Sequence, residues 1–180
     1  MNIHNEDNIS RIPSQQVSVK VIVIKYGKLL LCKYSSNNMA QLAEQGKWAL
    51  LEVLMNVNEN LSSAIFRDVL KKSGWMTKNI RLFQIKISSN KSDESEQMSE
   101  IVLIVDGIKQ TLPPDGKIQG LRWFPLNDLP KPEGIATEHA EIIYALADLL
   151  HRGKTLDLEH LPPVFTLKGL KKNNFFQLLS

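Results

Sequence analysis

Apolar residues follow two different spacings along this chain, and the two spacings alternate. Alternating or continuous apolar stretches, typical of β-strands, occupy residues 17–24, 29–33, 80–88, 101–105 and 119–124. Apolar residues at steps of three and four positions, typical of helices, occur in two segments that begin at Leu61 and at about Thr137. This order of elements predicts an α/β fold, in which helices pack on a mixed β-sheet.

The first strand is predicted to lie inside the sheet. Residues 17–24 read VSVKVIVI, so valines line one face, and the other face changes from Ser18 and Lys20 to two isoleucines. A strand that is apolar on both faces is typical of a central position. Gly27 supplies a tight reversal, which makes residues 29–33 the expected hairpin partner.

Both helices have recognisable ends. Asn60 is a suitable cap for the first helix, and Gly74 suits its left-handed stop. The second helix is predicted over about 137–152, with a stop at Gly153. It carries His139, which has no neighbouring His or Cys and is expected to be a contact residue rather than a metal ligand.

Polar stretches separate these elements. Residues 35–45 and 89–99 are polar, the second stretch also acidic, and both are predicted to be loops. Residues 46–50 are predicted to form a short extended piece, and residues 127–130 a short helical turn.

The composition fits a soluble protein with a core, because 43% of the 180 residues are hydrophobic and 23% are charged. No apolar run reaches the roughly 18 residues that span a bilayer. Residues 1–14 are polar and are expected to be a flexible N-terminus without a secretion signal, so we expect a cytoplasmic protein. A single cysteine, Cys32, excludes an internal disulfide and a Cys-based zinc cluster.

The net charge of +3 comes from one part of the chain. Residues 152–180 hold five basic and two acidic side chains, which is the whole surplus. Nucleic-acid-binding proteins usually show a dense basic stripe or a recognisable module, and this excess is too small for that. Neither nucleic acid nor a membrane is therefore an expected partner.

The segment GKWALLEVLMNVNENLSSAIFRDVLKKSGW, residues 46–75, carries the strongest chemical pattern. Seven residues separate Glu59 from the pair Arg67 and Asp68. The segment resembles the signature of the Nudix hydrolases, which cleave nucleoside diphosphates linked to another moiety. In that signature Glu59 falls on the first glutamate, Arg67 on the arginine, and Asp68 replaces the next glutamate. Three further places also fit: Val69, Gly74 and Trp75. The resemblance implies a Nudix fold, a mixed β-sheet sandwiched between α-helices.

The segment departs from the family signature where the chemistry lies. Val53 replaces a glycine, and Lys71 and Lys72 replace two adjacent glutamates. In the family, the helix carboxylates hold Mg²⁺ or Mn²⁺, which bridges the pyrophosphate and helps to activate the attacking water. Asp68 and two lysines change the local formal charge from −3 to +1. We therefore expect no catalytic residue and no metal or other cofactor. Because Glu52 and Val53 disfavour positive φ angles, the preceding loop is expected to take a different course.

The rest of the signature is structural. The resemblance implies that Arg67 reaches back to Glu59 and holds the loop against the helix. Asp68 precedes Lys71 and Lys72 by three and four helical positions, so it is expected to be an ion-pair partner. The two lysines are either solvated residues of the last helical turn or the cations of an anion site. The candidate ligand-binding residues are therefore Glu59, Arg67, Asp68, Lys71 and Lys72.

Three later stretches of the chain also resemble Nudix proteins and indicate a smaller group within the family. Residues 121–130 (LRWFPLNDLP) resemble the strand and turn near the end of Nudix domains. Residues 135–143 and 161–170 resemble Nudix-related transcriptional regulators of NAD metabolism, which bind ADP-ribose and carry a winged-helix DNA-binding domain. The resemblance implies a Nudix-like domain over 15–153 and a homodimer. Residues 154–180 are too few for a winged helix, which needs on the order of 60 to 80 residues. They are expected to be a basic C-terminal appendage, the remnant of a linker or second domain.

Three functional hypotheses follow from these residues. The first is a non-catalytic Nudix-fold protein that binds an ADP-ribose-like nucleotide diphosphate in a regulatory or sensing role, with Lys71 or Lys72 replacing the charge of the metal. The second is an atypical hydrolase with Mg²⁺ or Mn²⁺ at a displaced site. Its ligands would be drawn from Glu52, Glu59, Asp68 and a loop carboxylate such as Glu96 or Glu100. The third is a DNA-binding regulator that acts as a dimer.

Overall fold

The structure, a computed structural model, describes residues 14–35, 44–56, 58–90 and 93–151. Six strands and two α-helices follow one another in these ranges. The strands are β1 (Ser14–Lys25), β2 (Lys28–Tyr34), β3 (Leu51–Val53), β4 (Trp75–Asn90), β5 (Asp93–Gln110) and β6 (Ile118–Pro125). The helices are α1 (Leu61–Ser73) and α2 (Thr137–His151), and a single 3-10 turn at Pro132–Gly134 precedes α2.

The six strands form one mixed sheet in the order β4-β5-β1-β2-β6, with β3 also paired to β1. β1 runs parallel to β5, and the other pairs are antiparallel. β2 pairs with β1 only close to their shared turn, at residues 23–25 of β1. Farther from that turn, residues 19–21 of β1 pair with β3 instead. β3 therefore fills the space where β1 and β2 separate.

The two helices pack on opposite faces of this sheet. Val21 and Val23 of β1 share one apolar core with Ile65 of α1. Ile22, on the other face of β1, shares a second core with Ile143 of α2. The predicted α/β class and the sandwich of a mixed sheet between helices are therefore confirmed, and β1 is central as its pattern indicates.

The ends of α1 are those that the sequence predicts. The Asn60 side chain accepts a hydrogen bond from the backbone N–H of Ser63 at 2.9 Å. Gly74 ends the helix with φ of 75°, and its N–H donates to the carbonyl of Leu70 at 2.8 Å. These caps satisfy backbone groups that a helix end leaves open, and they fix where the residues of α1 lie.

The prediction of a loop over residues 89–99 is wrong. β4 continues to Asn90 and β5 begins at Asp93; residues 91–92 lie outside the described part of the chain. Residues 97–99 pair with the start of β1 on one side and with β4 on the other. Backbone hydrogen bonds on both sides make this polar stretch a strand, and such non-local pairing is not visible in composition.

Smaller corrections concern two other segments. The short extended piece expected at residues 46–50 forms only isolated bridges, at Trp48 and Ala49, and the strand β3 follows it. The turn expected at residues 127–130 lies earlier, over residues 125–128, where the Asp128 N–H donates to the carbonyl of Pro125 at 2.9 Å.

Several predictions fall outside the described residues. They are the flexible N-terminus up to residue 13, residues 36–43 of the loop predicted over 35–45, the helix stop at Gly153 and the appendage at 154–180. Among the helices in the described ranges, none is both long and apolar enough to cross a membrane.

We expect Gly74→Ala to lower the free energy of unfolding by more than about 2 kcal/mol. An added Cβ would lie 1.9 Å from the Leu112 carbonyl oxygen, and the left-handed backbone itself disfavours a side chain. Urea denaturation measures the change. The matched control is Gly116→Ala, where nothing lies within 4 Å of an added Cβ. Equal losses in the two variants would contradict this account of the helix end.

Candidate functional site

The candidate site lies where β3 meets α1, in the gap between the separating β1 and β2. Leu54 follows β3, and the chain then passes through residues 55–60 to the start of α1. Glu59, Arg67, Asp68 and Lys72 are joined by hydrogen bonds and ion pairs around this connection. Four of the five predicted site residues thus lie together.

Arg67 ties the connecting segment to α1. Its guanidinium forms an ion pair with Glu59, so the contact that the signature implies is present. It also donates to the Leu54 carbonyl at 2.5 Å. The Glu59 carboxylate in turn accepts from the N–H of Asn56 at 3.1 Å. One guanidinium therefore fixes both ends of the segment, a role that its fork of donors suits.

Asp68 is a buried acid whose two oxygens are both in use. The residue is 6% exposed. One oxygen accepts from Arg67 Nε at 2.9 Å, and the other accepts from the Leu54 N–H at 2.9 Å. Burial opposes ionisation, but the hydrogen bonds from Leu54 and Arg67 and the charge of Lys72 outweigh it, so the pKa of Asp68 is lowered. The prediction that Asp68 is an ion-pair partner is confirmed.

The two lysines of the signature have different surroundings. The Lys72 ammonium donates to the Glu52 carbonyl at 2.5 Å and lies 3.7 Å from an Asp68 oxygen, so it bridges β3 and α1. Lys71 is exposed, and no ion pair joins it to another residue in the described part of the chain. Lys72 is therefore a structural cation, and Lys71 is the lysine available to solvent.

The residues present do not fit a divalent metal. Mg²⁺ requires several anionic or carbonyl oxygens in near-octahedral order. Here the Glu59 and Asp68 carboxylates are already bound to Arg67, and an ammonium occupies the space between Asp68 and the carbonyl of residue 52. Within the described ranges, no three His, Cys, Asp or Glu side chains form a group that could hold a metal ion.

A second polar cluster, which the sequence pattern does not predict, lies on the α2 face of the sheet. The His139 ring is buried; its Nδ1 accepts from the Leu50 N–H at 3.2 Å and its Nε2 lies 3.5 Å from a Glu52 oxygen. This contact is the main cause of the lowered pKa of Glu52. Lys20, 3% exposed, forms an ion pair with Glu100. Glu100 was expected in a solvated loop, but it belongs to β5.

Glu52 connects the two faces. Its carbonyl binds Lys72 on the α1 side, while its carboxylate contacts His139 on the α2 side. Its N–H donates to the Tyr34 hydroxyl at 3.1 Å. Glu52 and Val53 lie in β3 without positive φ, as expected, and the positive φ of this region falls instead on Asn58.

Cys32 takes no chemical part in the site. It is fully buried, and burial raises the pKa of its thiol to about 12. A thiol that stays protonated is not a nucleophile at neutral pH. Cys32 is therefore a core residue, packed in the cluster beneath α1.

Comparison with known proteins gives a consistent picture at the level of structure. The sequence matches no family model, and no curated protein matches it. In structure it is similar to a Nudix hydrolase from Nitrosomonas europaea, with 18% identity, a TM-score of 0.59, and 77% of this chain and 73% of that chain covered. The chain has a Nudix fold.

Two further structures extend this likeness. A MutT Nudix hydrolase from Burkholderia pseudomallei matches with 18% identity and a TM-score of 0.54, covering 73% of this chain and 97% of that one. The Nudix domain of Shewanella oneidensis NrtR, complexed with ADP ribose, matches with 18% identity and a TM-score of 0.57, covering 76% and 89%. At this identity, the likeness establishes the Nudix fold alone.

We expect Asp68→Asn to lower the free energy of unfolding at pH 7 by about 1–3 kcal/mol, because an amide cannot satisfy the same donors. The folded pKa of Asp68 lies below its unfolded value of about 3.9. Its contribution is therefore complete above that pH and is lost as the pH falls through the folded pKa. The difference between the two proteins should shrink on acidification below about pH 4.

Urea denaturation at a series of pH values tests this expectation. The exposed Asp128→Asn is the matched control and should change stability by less than about 0.5 kcal/mol. A difference between wild type and Asp68→Asn that stays constant with pH would show that the charge of Asp68 is not what stabilises the site.

Proposed function

We propose that this chain is a non-catalytic Nudix-fold protein that binds a nucleotide diphosphate of the ADP-ribose kind in a regulatory or sensing role. The single observation that carries the proposal is the position of the Lys72 ammonium between the Glu52 carbonyl and Asp68. A lysine stands there where the signature of the hydrolases has a glutamate.

The chemistry of an ammonium supports binding without turnover. A lysine carries positive charge and three donors, but unlike a bound metal ion it cannot lower the pKa of a water to make a nucleophilic hydroxide. Its charge also repels a second cation: at about 4 Å two unit charges interact by about 4 kcal/mol near a protein surface. A dication would therefore have to displace Lys72 before it met Asp68.

Lys71 is the residue that we assign to the phosphates of the ligand. It is exposed and has no ion-pair partner in the described ranges, whereas Lys72 is bound within the protein. An ammonium in that state can form charge-assisted hydrogen bonds to a pyrophosphate without first breaking internal contacts. The NrtR Nudix domain in complex with ADP ribose supports the choice of ligand.

Four further features of the proposed protein are predictions from the sequence. They are the homodimer, the regulatory role, the cytoplasmic location and the absence of nucleic acid as a partner.

Calorimetry with ADP-ribose in EDTA tests binding. We expect wild type to bind without a metal, and Lys71→Ala to weaken the affinity about tenfold, the effect of about 1.4 kcal/mol. The exposed Lys131→Ala should leave the affinity unchanged. No heat with wild type, or equal affinities for wild type and Lys71→Ala, would contradict the proposed role of Lys71.

Release of AMP from ADP-ribose tests catalysis. We expect no release above the protein-free rate with Mg²⁺ or Mn²⁺, because the acids of the site are already paired. Metal-dependent release that Asp68→Asn abolishes would instead favour the atypical hydrolase, and would contradict the non-catalytic assignment.

A further inference from the structure

A cavity of about 410 Å³ lies at the other end of the sheet, beside the turn between β1 and β2. Its walls include Ile24, Lys25, Tyr26, Lys78, Asp106 and Ile108. The candidate site contacts β1 at Lys20, five residues before Lys25. At a strand rise of about 3.3 Å per residue the two places are about 17 Å apart.

Tyr26 is the most unusual residue of this cavity. It occupies the first position of a two-residue hairpin turn with φ of 49°, followed by Gly27 with φ of 67°. Asn, Asp or Gly usually fill such a position, because a left-handed backbone costs another L-residue about 1–2 kcal/mol. Tyr26 as a whole is also 89% exposed, so packing does not offset this cost. Strain and exposure in one aromatic residue indicate a role outside folding.

The charge around the ring is positive. The Lys25 ammonium lies 5.3 Å from the centroid of the Tyr26 ring, and Lys78 is an exposed lysine on the opposite wall. The acid of the cavity, Asp106, is bound by Arg81 and also by the Asn79 amide at 2.8 Å.

Asp106 therefore does not oppose an incoming anion. Burial disfavours its ionised form, but hydrogen bonds from Arg81 and Asn79 outweigh burial and lower its pKa. Arg81, only 7% exposed, forms the ion pair that balances the charge of Asp106. Its Nε–H has no hydrogen-bond partner in the described part of the chain. Lys25 donates to the Ile108 carbonyl and lies 4.7 Å from the centroid of the Trp75 ring. Lys78, whose charge also helps to lower the pKa of Asp106, is the wall lysine without a hydrogen bond or ion pair in the described part of the chain.

We propose that this cavity binds a small aromatic anion of the mononucleotide class, with its ring against Tyr26 and its phosphate near Lys78. Stacking on tyrosine suits a planar ring, and the lysines suit a phosphate. The volume lies in the range of about 300–1,000 Å³ that is usual for small-molecule sites. The cavity is open to solvent and only two lysines line it. This favours a small molecule over a nucleic-acid strand, because a strand needs a continuous basic groove.

Calorimetry with AMP tests this site on the full chain. Tyr26→Asn removes the ring but keeps a residue that tolerates the left-handed turn, so loss of binding would not reflect loss of folding. We expect Tyr26→Asn and Lys78→Gln each to weaken AMP binding about tenfold, and Tyr26→Phe to retain it. Adenosine and inorganic phosphate should each bind more weakly than AMP.

Lys71→Ala separates this site from the one proposed at α1. It should leave AMP binding unchanged, whereas Tyr26→Asn should leave ADP-ribose binding at α1 unchanged. No heat with AMP, equal affinities for wild type and Tyr26→Asn, or tighter binding of a single-stranded oligonucleotide than of AMP would overturn the inference. None of these outcomes bears on the function proposed for Lys71.

Discussion

The ionic contact between Arg67, Asp68 and Lys72 is the constraint on which the rest of the site depends. Asp68 is buried, so its charge must be matched within the protein. Arg67 matches it from α1 and at the same time holds the segment after β3, while Lys72 approaches from the next turn of the helix. Removing any one of the three leaves a buried charge or carbonyl without its partner. The position of β3 against α1 is therefore set by electrostatics as much as by packing.

β3 links the ionic contact at α1 to α2, on the other face of the sheet. It has only three residues, yet Glu52 at its centre binds α1 through its carbonyl and α2 through its carboxylate. Leu51 and Val53 are buried in the core beneath α1, whereas Leu50 belongs to the core beneath α2. A lysine on α1 and a histidine on α2 therefore contact the same residue of this short strand, one through its backbone and the other through its side chain.

The sequence predicts the parts of this structure that local rules determine. The helical spacing of apolar residues and the two capping residues predict α1. Apolar residues on both faces predict the central position of β1. The spacing of the Nudix-like segment predicts the contact of Arg67 with Glu59. The acidic residues at the start of β5 are predicted to form a loop, and this prediction is wrong. They form a strand because they pair with strands far away in the chain, which local composition does not reveal. The contact of His139 with Glu52 is also non-local, since 87 positions separate the two residues. Nothing in the local sequence around either residue predicts it. Spacing on one helix predicts that both lysines are near Asp68, but not that only Lys72 turns inward.

The different surroundings of the two lysines follow from their places on α1. Lys72 lies four positions after Asp68, one helical turn away on the same face, so its ammonium can reach the acid and the β3 carbonyl together. Lys71 is rotated by about 100° from Lys72, which takes it off that face and into solvent. Two adjacent lysines on one helix thus have separate physical roles. Lys72 is an internal cation beside a buried acid, and Lys71 is an exposed positive charge at the end of a helix, where the dipole favours it.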